Sequence, residues 1–102
     1  MRYEWDERKN RLNWRSHGIS FEDAILVFAD ERCLIYPDRT DETGEQRWHA
    51  IGSVPVESAY VAVLLVVHAY REDNDGEEIV RIISARETEK HELRRYQEQN
   101  PN

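Results

Sequence analysis

The sequence predicts an α+β domain with two N-terminal helices, a four-stranded, mainly antiparallel twisted sheet and a C-terminal helix. Helix-capping residues and, over 21–28, helical spacing of apolar residues precede residue 30, and runs of strand-forming residues begin at Cys33. The turn sequence Asn74-Asp75-Gly76 joins the last two of these runs into a hairpin. A chain of 102 residues can bury one core, so we predict a single domain over 1–102, with 97–102 as a frayed tail.

Two helices are predicted before the strands. The first covers 6–17, because Asp6 is a favourable N-cap residue and Gly18 stands where a helix commonly stops. Residues 3–5, which precede it, are expected to form a short strand or an extended lead-in. The second helix covers 20–30, since a serine opens it and four of its apolar residues follow helical spacing.

Four strands and a last helix follow. The strands are predicted over 33–36, 47–54, 59–70 and 78–85, the first of them closed by Pro37. The third strand is apolar on both faces, which is typical of a strand in the middle of a sheet. Ser84 and Glu87 have the spacing of a capping box, so a helix is expected to open there and to run to about Tyr96.

The charge distribution narrows the function classes. The net charge is −7, which argues against a protein that coats nucleic acid without specificity. Five acids occupy 72–78, whereas 81–95 contains five bases and three acids. A small cationic site on an acidic body can bind a short stretch of phosphate. The alternative is ordinary solvated charge.

The sequence also bears on the cellular location. The single cysteine, Cys33, allows no intrachain disulfide and is typical of a reducing compartment. The start of the chain has no apolar run of the signal-peptide type, and the longest apolar run, 59–67, is about half as long as a membrane helix requires. We therefore expect a cytoplasmic protein without a membrane partner.

The side chains left for chemistry are arginines near strand ends. The four histidines lack the spacing of metal ligands, so neither a metal nor another cofactor is predicted. Arg47 alternates with His49 on one strand, and three further arginines follow. Arg71 closes the third strand, Arg81 lies in the fourth, and Arg86 stands at the junction with the last helix. Arginine forks can stabilise phosphate in a metal-free phosphoryl transfer while a histidine or a carboxylate moves protons. The alternative is that these arginines form surface salt bridges.

Arg81 and Arg86 are each expected beside a second group that could act on a phosphate. Pairing of 67–71 with 78–82 through the hairpin would make His68 and Arg81 near cross-strand neighbours. Arg86 lies where the last helix is predicted to begin. A phosphate bound by Arg86 would also face the free backbone N–H groups at the start of that helix.

Four ordered blocks of the sequence resemble the BrnT family of toxins. The opening block is Tyr3-Glu4-Trp5-Asp6 with Lys9, Asn13 and His17-Gly18-Ile19-Ser20-Phe21-Glu22-Asp23-Ala24. The later blocks are Gly44-Glu45-Gln46-Arg47 with Ile51-Gly52, then Val66-Val67 with Tyr70-Arg71, then Arg81-Ile82-Ile83-Ser84-Ala85-Arg86. Glu92 and Tyr96 match the close, so the resemblance covers nearly the whole chain.

The resemblance implies a toxin of a type II toxin–antitoxin pair, with a RelE-like fold and a ribonuclease activity that arrests translation. It also implies a BrnA-like antitoxin that neutralises the toxin and binds DNA, so that DNA is reached only through the antitoxin. The candidates for phosphate binding and transition-state charge are Arg47, Arg71, Arg81 and Arg86. The candidates for proton transfer are His17, Glu22, Glu45 and His68. The family usually has lysine where this chain has Ser16, so Arg15 is the candidate for that phosphate contact.

These expectations combine into a metal-independent endoribonuclease that activates the ribose 2′-OH and leaves a 2′,3′-cyclic phosphate. The alternative is a non-catalytic module that acts only in a regulatory complex with a DNA-binding partner. The acidic surface favours the module, and the arginine clustering favours the enzyme. Apolar residues on and after the first helix are expected to form the docking area together with the acidic loop: Leu12, Trp14 and Ile19.

Overall fold

A computed structural model of the chain describes residues 1–57 and 60–99. The strands are β1 (Arg2–Glu4), β2 (Leu34–Thr40), β3 (Gln46–Glu57), β4 (Tyr60–Glu72) and β5 (Glu78–Glu87). The helices are α1 (Glu7–His17), α2 (Phe21–Ala24), which a 3-10 turn (Ile25–Ala29) extends, and α3 (Lys90–Glu98). The strands form one sheet in the order β1-β5-β4-β3-β2, parallel between β1 and β5 and antiparallel elsewhere.

The α+β class is confirmed, but the number of strands was wrong. The extended lead-in is the fifth strand, β1, which pairs Arg2 with Ile79 and Glu4 with Arg81. It covers an edge of β5 whose backbone groups would otherwise lack partners, and this parallel pairing makes the sheet mixed. The strand predicted for the middle, β4, does lie between β3 and β5.

The two N-terminal helices begin where they were predicted, but after one α-helical turn the second continues as a 3-10 helix. Asp6 caps α1 by accepting from two backbone N–H groups, and Gly18 closes it at a φ of 68°. The 3-10 turn that follows α2 lies against β3 at Gly52. A Cβ at Gly52 would stand 2.8 Å from the carbonyl oxygen of Val27, so the absence of a side chain allows this close approach.

Two predicted boundaries were wrong for identifiable reasons. Pro37 does not end β2, because β2 is an edge strand and can accommodate a residue without an N–H donor. Ser84 does not open the last helix, because β5 continues to pair with β4 through Arg86 and Glu87. The capping box of α3 is formed instead by Glu89 and Glu92.

The predicted frayed tail overlaps α3. Residues 97 and 98 belong to that helix, which ends at Glu98. The remainder, 100–102, lies outside the described residues.

The sheet has two differently covered faces. The layer of α1, α2 and the 3-10 turn buries one face around Phe21, Val27 and Ile82. The other face packs against α3 around Ile51, Leu65 and Tyr96. A helix of nine residues is only about 14 Å long, whereas a strand of 13 residues extends about 43 Å. The second face therefore stays open beyond α3, and we call this uncovered region the open face.

Candidate functional site

The open face collects arginines from three adjacent strands. Arg81 on β5 pairs with Ala69 on β4, and Trp48 pairs with His68, which sets Arg47 of β3 beside Ala69. Side chains two residues apart on a strand share a face, so Arg71 joins this group. The described structure therefore brings together three of the predicted arginines, Arg47, Arg71 and Arg81.

Each of these arginines is paired with a carboxylate. The guanidinium of Arg71 reaches over β5 and binds both carboxylate oxygens of Glu4, at 2.6 and 2.9 Å. Arg81 reaches over β4, where the small residue Ala69 leaves room, and binds Glu45. The hydrogen bond to Arg71 lowers the pKa of Glu4, and the same contact raises the pKa of Arg71.

The third pair is set up by the loop before β3. Arg47 Nη2 lies 3.5 Å from Asp41 Oδ2. The other carboxylate oxygen of Asp41 accepts from the backbone N–H groups of Thr43 and Glu45, at 2.9 and 3.0 Å. Together with Gly44 at a φ of 90°, these bonds fold a tight turn. The turn places Glu45 beside Arg81 and Asp41 beside Arg47. The hydroxyl of Thr43 donates a hydrogen bond of 2.6 Å to Asp41 Oδ1, and this bond lowers the pKa of Asp41.

Arg86 lies on the same face but at the margin of α3. Its guanidinium makes two bonds, of 2.8 and 2.9 Å, to the carboxylate of Glu92, which is buried. That carboxylate also accepts from the backbone N–H of Glu89 at 2.8 Å. The hydrogen bonds with Arg86 lower the pKa of Glu92 and raise the pKa of Arg86. The pair therefore fastens the first turn of α3 to β5.

A histidine that was not predicted for the site also belongs to the open face. His49 lies two residues from Arg47, and its Nε2 is 3.1 Å from Asp38 Oδ2. Its ring stands edge-on to Tyr36, with 5.1 Å between centroids. The alternation of Arg47 with His49 is visible in the sequence, whereas the contact with Asp38 follows from the pairing of β2 with β3, which sets Tyr36 opposite His49.

His68 lies on the opposite face of the sheet. It is fully buried, edge-on to Phe28, and burial lowers its pKa to about 4. Its Nε2 is 3.0 Å from the hydroxyl of Tyr70. The expected neighbourhood of His68 and Arg81 was wrong, because His68 pairs with Ile82 and the two side chains point to opposite faces.

The remaining predicted residues lie on the helical side. Glu22 accepts a hydrogen bond of 2.9 Å from Asn10 and so ties α2 to α1. His17 lines a shallow cavity of about 230 Å³ with Ser16, and Arg15 lines another, of about 280 Å³, with Trp14. The sheet separates these residues from the open face, so the described structure does not unite them with the arginines.

Three further observations concern reactivity and environment. Within residues 1–57 and 60–99, no three histidine, cysteine or acidic side chains lie together as a metal site would require. Burial raises the pKa of the Cys33 thiol to about 11, which disfavours the nucleophilic thiolate. Among the described helices, none has the length and apolar character to cross a membrane.

Comparison with protein families identifies the class of this chain. A family model described as the ribonuclease toxin BrnT of type II toxin–antitoxin systems matches residues 5–92. The chain is thus placed among ribonuclease toxins whose systems include an antitoxin partner. It belongs to the BrnT family, as the sequence blocks indicated. No match is found among curated proteins.

Proposed function

We propose that the chain is a metal-independent endoribonuclease that cleaves RNA on the open face and thereby inhibits translation and growth. The observation that carries this proposal is the convergence of Arg47, Arg71 and Arg81 from three adjacent strands on one uncovered face. Planar arginine forks match the oxygens of a phosphate and strengthen as charge develops in the transition state.

In the proposed reaction the ribose 2′-oxygen attacks the adjacent phosphorus. The new bond joins the 2′-oxygen to phosphorus, the bond to the 5′-oxygen breaks, and a 2′,3′-cyclic phosphate remains. The proton of the 2′-OH passes to a base, and the leaving 5′-oxygen receives a proton. A phosphate that binds Arg81 would displace Glu45, and the released carboxylate is our candidate for the base.

Because of the ion pairs, the site is expected to bind a short RNA segment and not a long stretch of nucleic acid. Three arginines and three carboxylates nearly cancel each other, and the whole protein carries a net charge of −7. Such a surface attracts long polyanions weakly, so recognition would depend on a few oriented contacts with a short RNA segment.

We assign different roles to the predicted residues on the helical side. Glu22 and His68 would support packing, through the bond to Asn10 and the contact with Phe28. Arg15 and His17 are exposed on α1 and would contribute to partner contacts rather than to the reaction.

The second candidate function is a non-catalytic binding module. One observation favours it: each of the four candidate arginines already has a carboxylate partner. In that case the open face would be a set of structural ion pairs.

Cleavage in the presence of a chelator tests the proposed function. The purified chain, freed of its partner, is expected to cut RNA and to leave 2′,3′-cyclic ends whether or not EDTA is present. An RNA with one 2′-deoxy nucleotide at the scissile position should resist, since the nucleophile is missing. Loss of cleavage on chelation, with recovery on adding a divalent ion, would contradict the metal-free reaction. Absence of cleavage under all conditions would favour the binding module.

We further propose that α1 contributes to the antitoxin-binding surface. Leu12 and Trp14 are 50% and 58% exposed, so α1 offers apolar surface that a partner can cover. Ile19 was wrongly included in this surface, because it is 8% exposed and belongs to the core.

Co-expression with the product of a neighbouring reading frame is expected to yield a stable complex. The acidic hairpin 72–78 favours a basic, DNA-binding partner, so association should weaken as salt is raised. The variant Trp14→Ala should weaken binding about tenfold or more, whereas Tyr60→Ala, an exposed aromatic residue at the other end of the sheet, serves as the control. A toxin that stays monomeric beside that product would contradict this assignment.

A further inference from the structure

We propose that His49 is the general acid of the cleavage reaction and that Asp38 positions it. The inference rests on the proposed function and assigns one of its two proton transfers. It follows from where the fold places the histidines and from how the ring of His49 is held.

The position of the histidines singles out His49. All four histidines fall within the described residues, and they occupy different environments. His68 is buried on the helical face, His17 is exposed on α1, and His91 is exposed in the first turn of α3. Only His49, among these four, stands beside Arg47, with Cα atoms about 7 Å apart along the same face of β3.

Two contacts fix the imidazole of His49. Asp38 lies 3.1 Å from Nε2, and the edge-on packing against Tyr36 defines the plane of the ring. Tyr36 is itself held from above by the guanidinium of Arg95, which lies 3.9 Å from the ring centroid. A proton donor with a fixed orientation is what an effective general acid requires.

The working atom of the ring is Nε2. Nδ1 is buried and has no hydrogen-bond partner in the described part of the chain. The side chains of His49 and Asp38 are 20% and 31% exposed, so the leaving 5′-oxygen can take the place of the Asp38 carboxylate at Nε2 and receive the proton there. The protonated ring is the form that donates the proton.

Charged and titratable groups face His49 from the elements around it. On β2 the facing groups are Asp38 and Tyr36, and on β3 the nearest is Arg47 with its partner Asp41. On β4 the residue paired with His49 is the apolar Val67, and its neighbour on β5 is Ser84. The remaining charged groups are Arg95 and Glu92 of α3, and Arg86 of β5, which is paired with Glu92.

The proton inventory of the step is then complete. As the 2′-oxygen bonds to phosphorus, its proton passes to the carboxylate of Glu45. As the bond from phosphorus to the 5′-oxygen breaks, the imidazolium of His49 donates its Nε2 proton to that oxygen. Water later reprotonates the imidazole and accepts the proton from Glu45, so both groups return to their starting states.

A change of leaving group tests the assignment. We compare His49→Gln with the parent on ordinary RNA and on RNA with a bridging 5′-sulfur at the scissile bond. Glutamine keeps an N–H near Asp38 but cannot act as an acid, so the fold should be retained. Loss of a general acid typically costs about 10²–10⁴ in rate on ordinary RNA. The thiolate departs without a proton, so the variant should cut the sulfur substrate within about threefold of the parent.

Further variants separate positioning from structure. His91→Ala, an exposed histidine, should leave both rates unchanged. Asp38→Asn should slow the cleavage of ordinary RNA, because the imidazole loses the carboxylate that orients it, while the sulfur substrate is cut normally. His49→Gln acting like the parent, or equally slow on both substrates, would overturn the proposal. A parent that cuts neither RNA would instead overturn the proposed function itself, and this inference with it.

Discussion

Replacing Arg81 with alanine is expected to lower the rate of RNA cleavage by about 10²–10³, which corresponds to roughly 3–4 kcal/mol of transition-state stabilisation. Arg81 occupies the middle of the open face, because its side chain extends from β5 over Ala69 toward β3. A donor placed there binds the phosphate most strongly when negative charge accumulates on it, so the rate should fall more than RNA affinity. Single-turnover cleavage and RNA binding, measured on the same samples, give the two effects separately.

The controls for this prediction use the same kind of side chain. Arg81→Lys keeps the charge but loses the planar fork, so it should recover only part of the rate. Arg2→Ala removes another ion-paired arginine, whose 3.7 Å contact with Asp73 lies at the start of β1, and should cut RNA normally.

Loss of the fold is not expected to explain the effect. The Arg81–Glu45 pair is partly exposed, and such pairs contribute less than about 1 kcal/mol to the free energy of unfolding. Circular dichroism can verify that Arg81→Ala is folded. A folded Arg81→Ala protein that stops growth and cuts RNA at the parental rate would remove Arg81 from the site.

The elements of the fold were largely predictable because their signals are local. Asp6 and Gly18 mark the ends of α1 through their own backbone and side-chain chemistry, and the two apolar faces of β4 mark a central strand. The errors arose where the start or end of a strand depends on pairing with an element far away in the sequence. The lead-in forms a strand because it pairs with the free edge of β5. Similarly, β5 extends beyond its predicted end because β4 continues to pair with it.

The sequence predicted the arginines of the site but not which histidine lies beside them. Strand alternation identifies which arginines share a face, so Arg47, Arg71 and Arg81 could be grouped from the sequence once strands were assigned. His68 was misplaced because the hairpin pairs Glu72 with Glu78, one residue away from the expected register, so that Arg81 stands opposite Ala69 and not opposite His68. The contact of His49 with Asp38 was missed because it joins two strands, and the spacing of residues in one sequence does not give the register between them.

Replacing Arg86 with alanine is expected to destabilise the fold by about 3 kcal/mol, unlike the other arginine changes. Removing one partner of a buried ion pair costs about 3–5 kcal/mol, and a value at the lower end suits Arg86, which keeps a third of its side chain exposed. The cost arises because Glu92 would remain a buried carboxylate without its two charged hydrogen bonds. Urea denaturation followed by circular dichroism measures the change in the free energy of unfolding.

The double variant Arg86→Ala, Glu92→Gln separates this clamp from any contact with RNA. Glutamine removes the stranded charge and can still accept from the backbone N–H of Glu89, so the capping box survives and most of the lost stability should return. If the single variant were as stable as the parent, the clamp would be refuted. If the double variant regains stability but not cleavage, Arg86 contacts the phosphate as the sequence predicted. If it regains both, Arg86 acts by holding α3 against β5, and the phosphate site consists of the arginines beyond that helix.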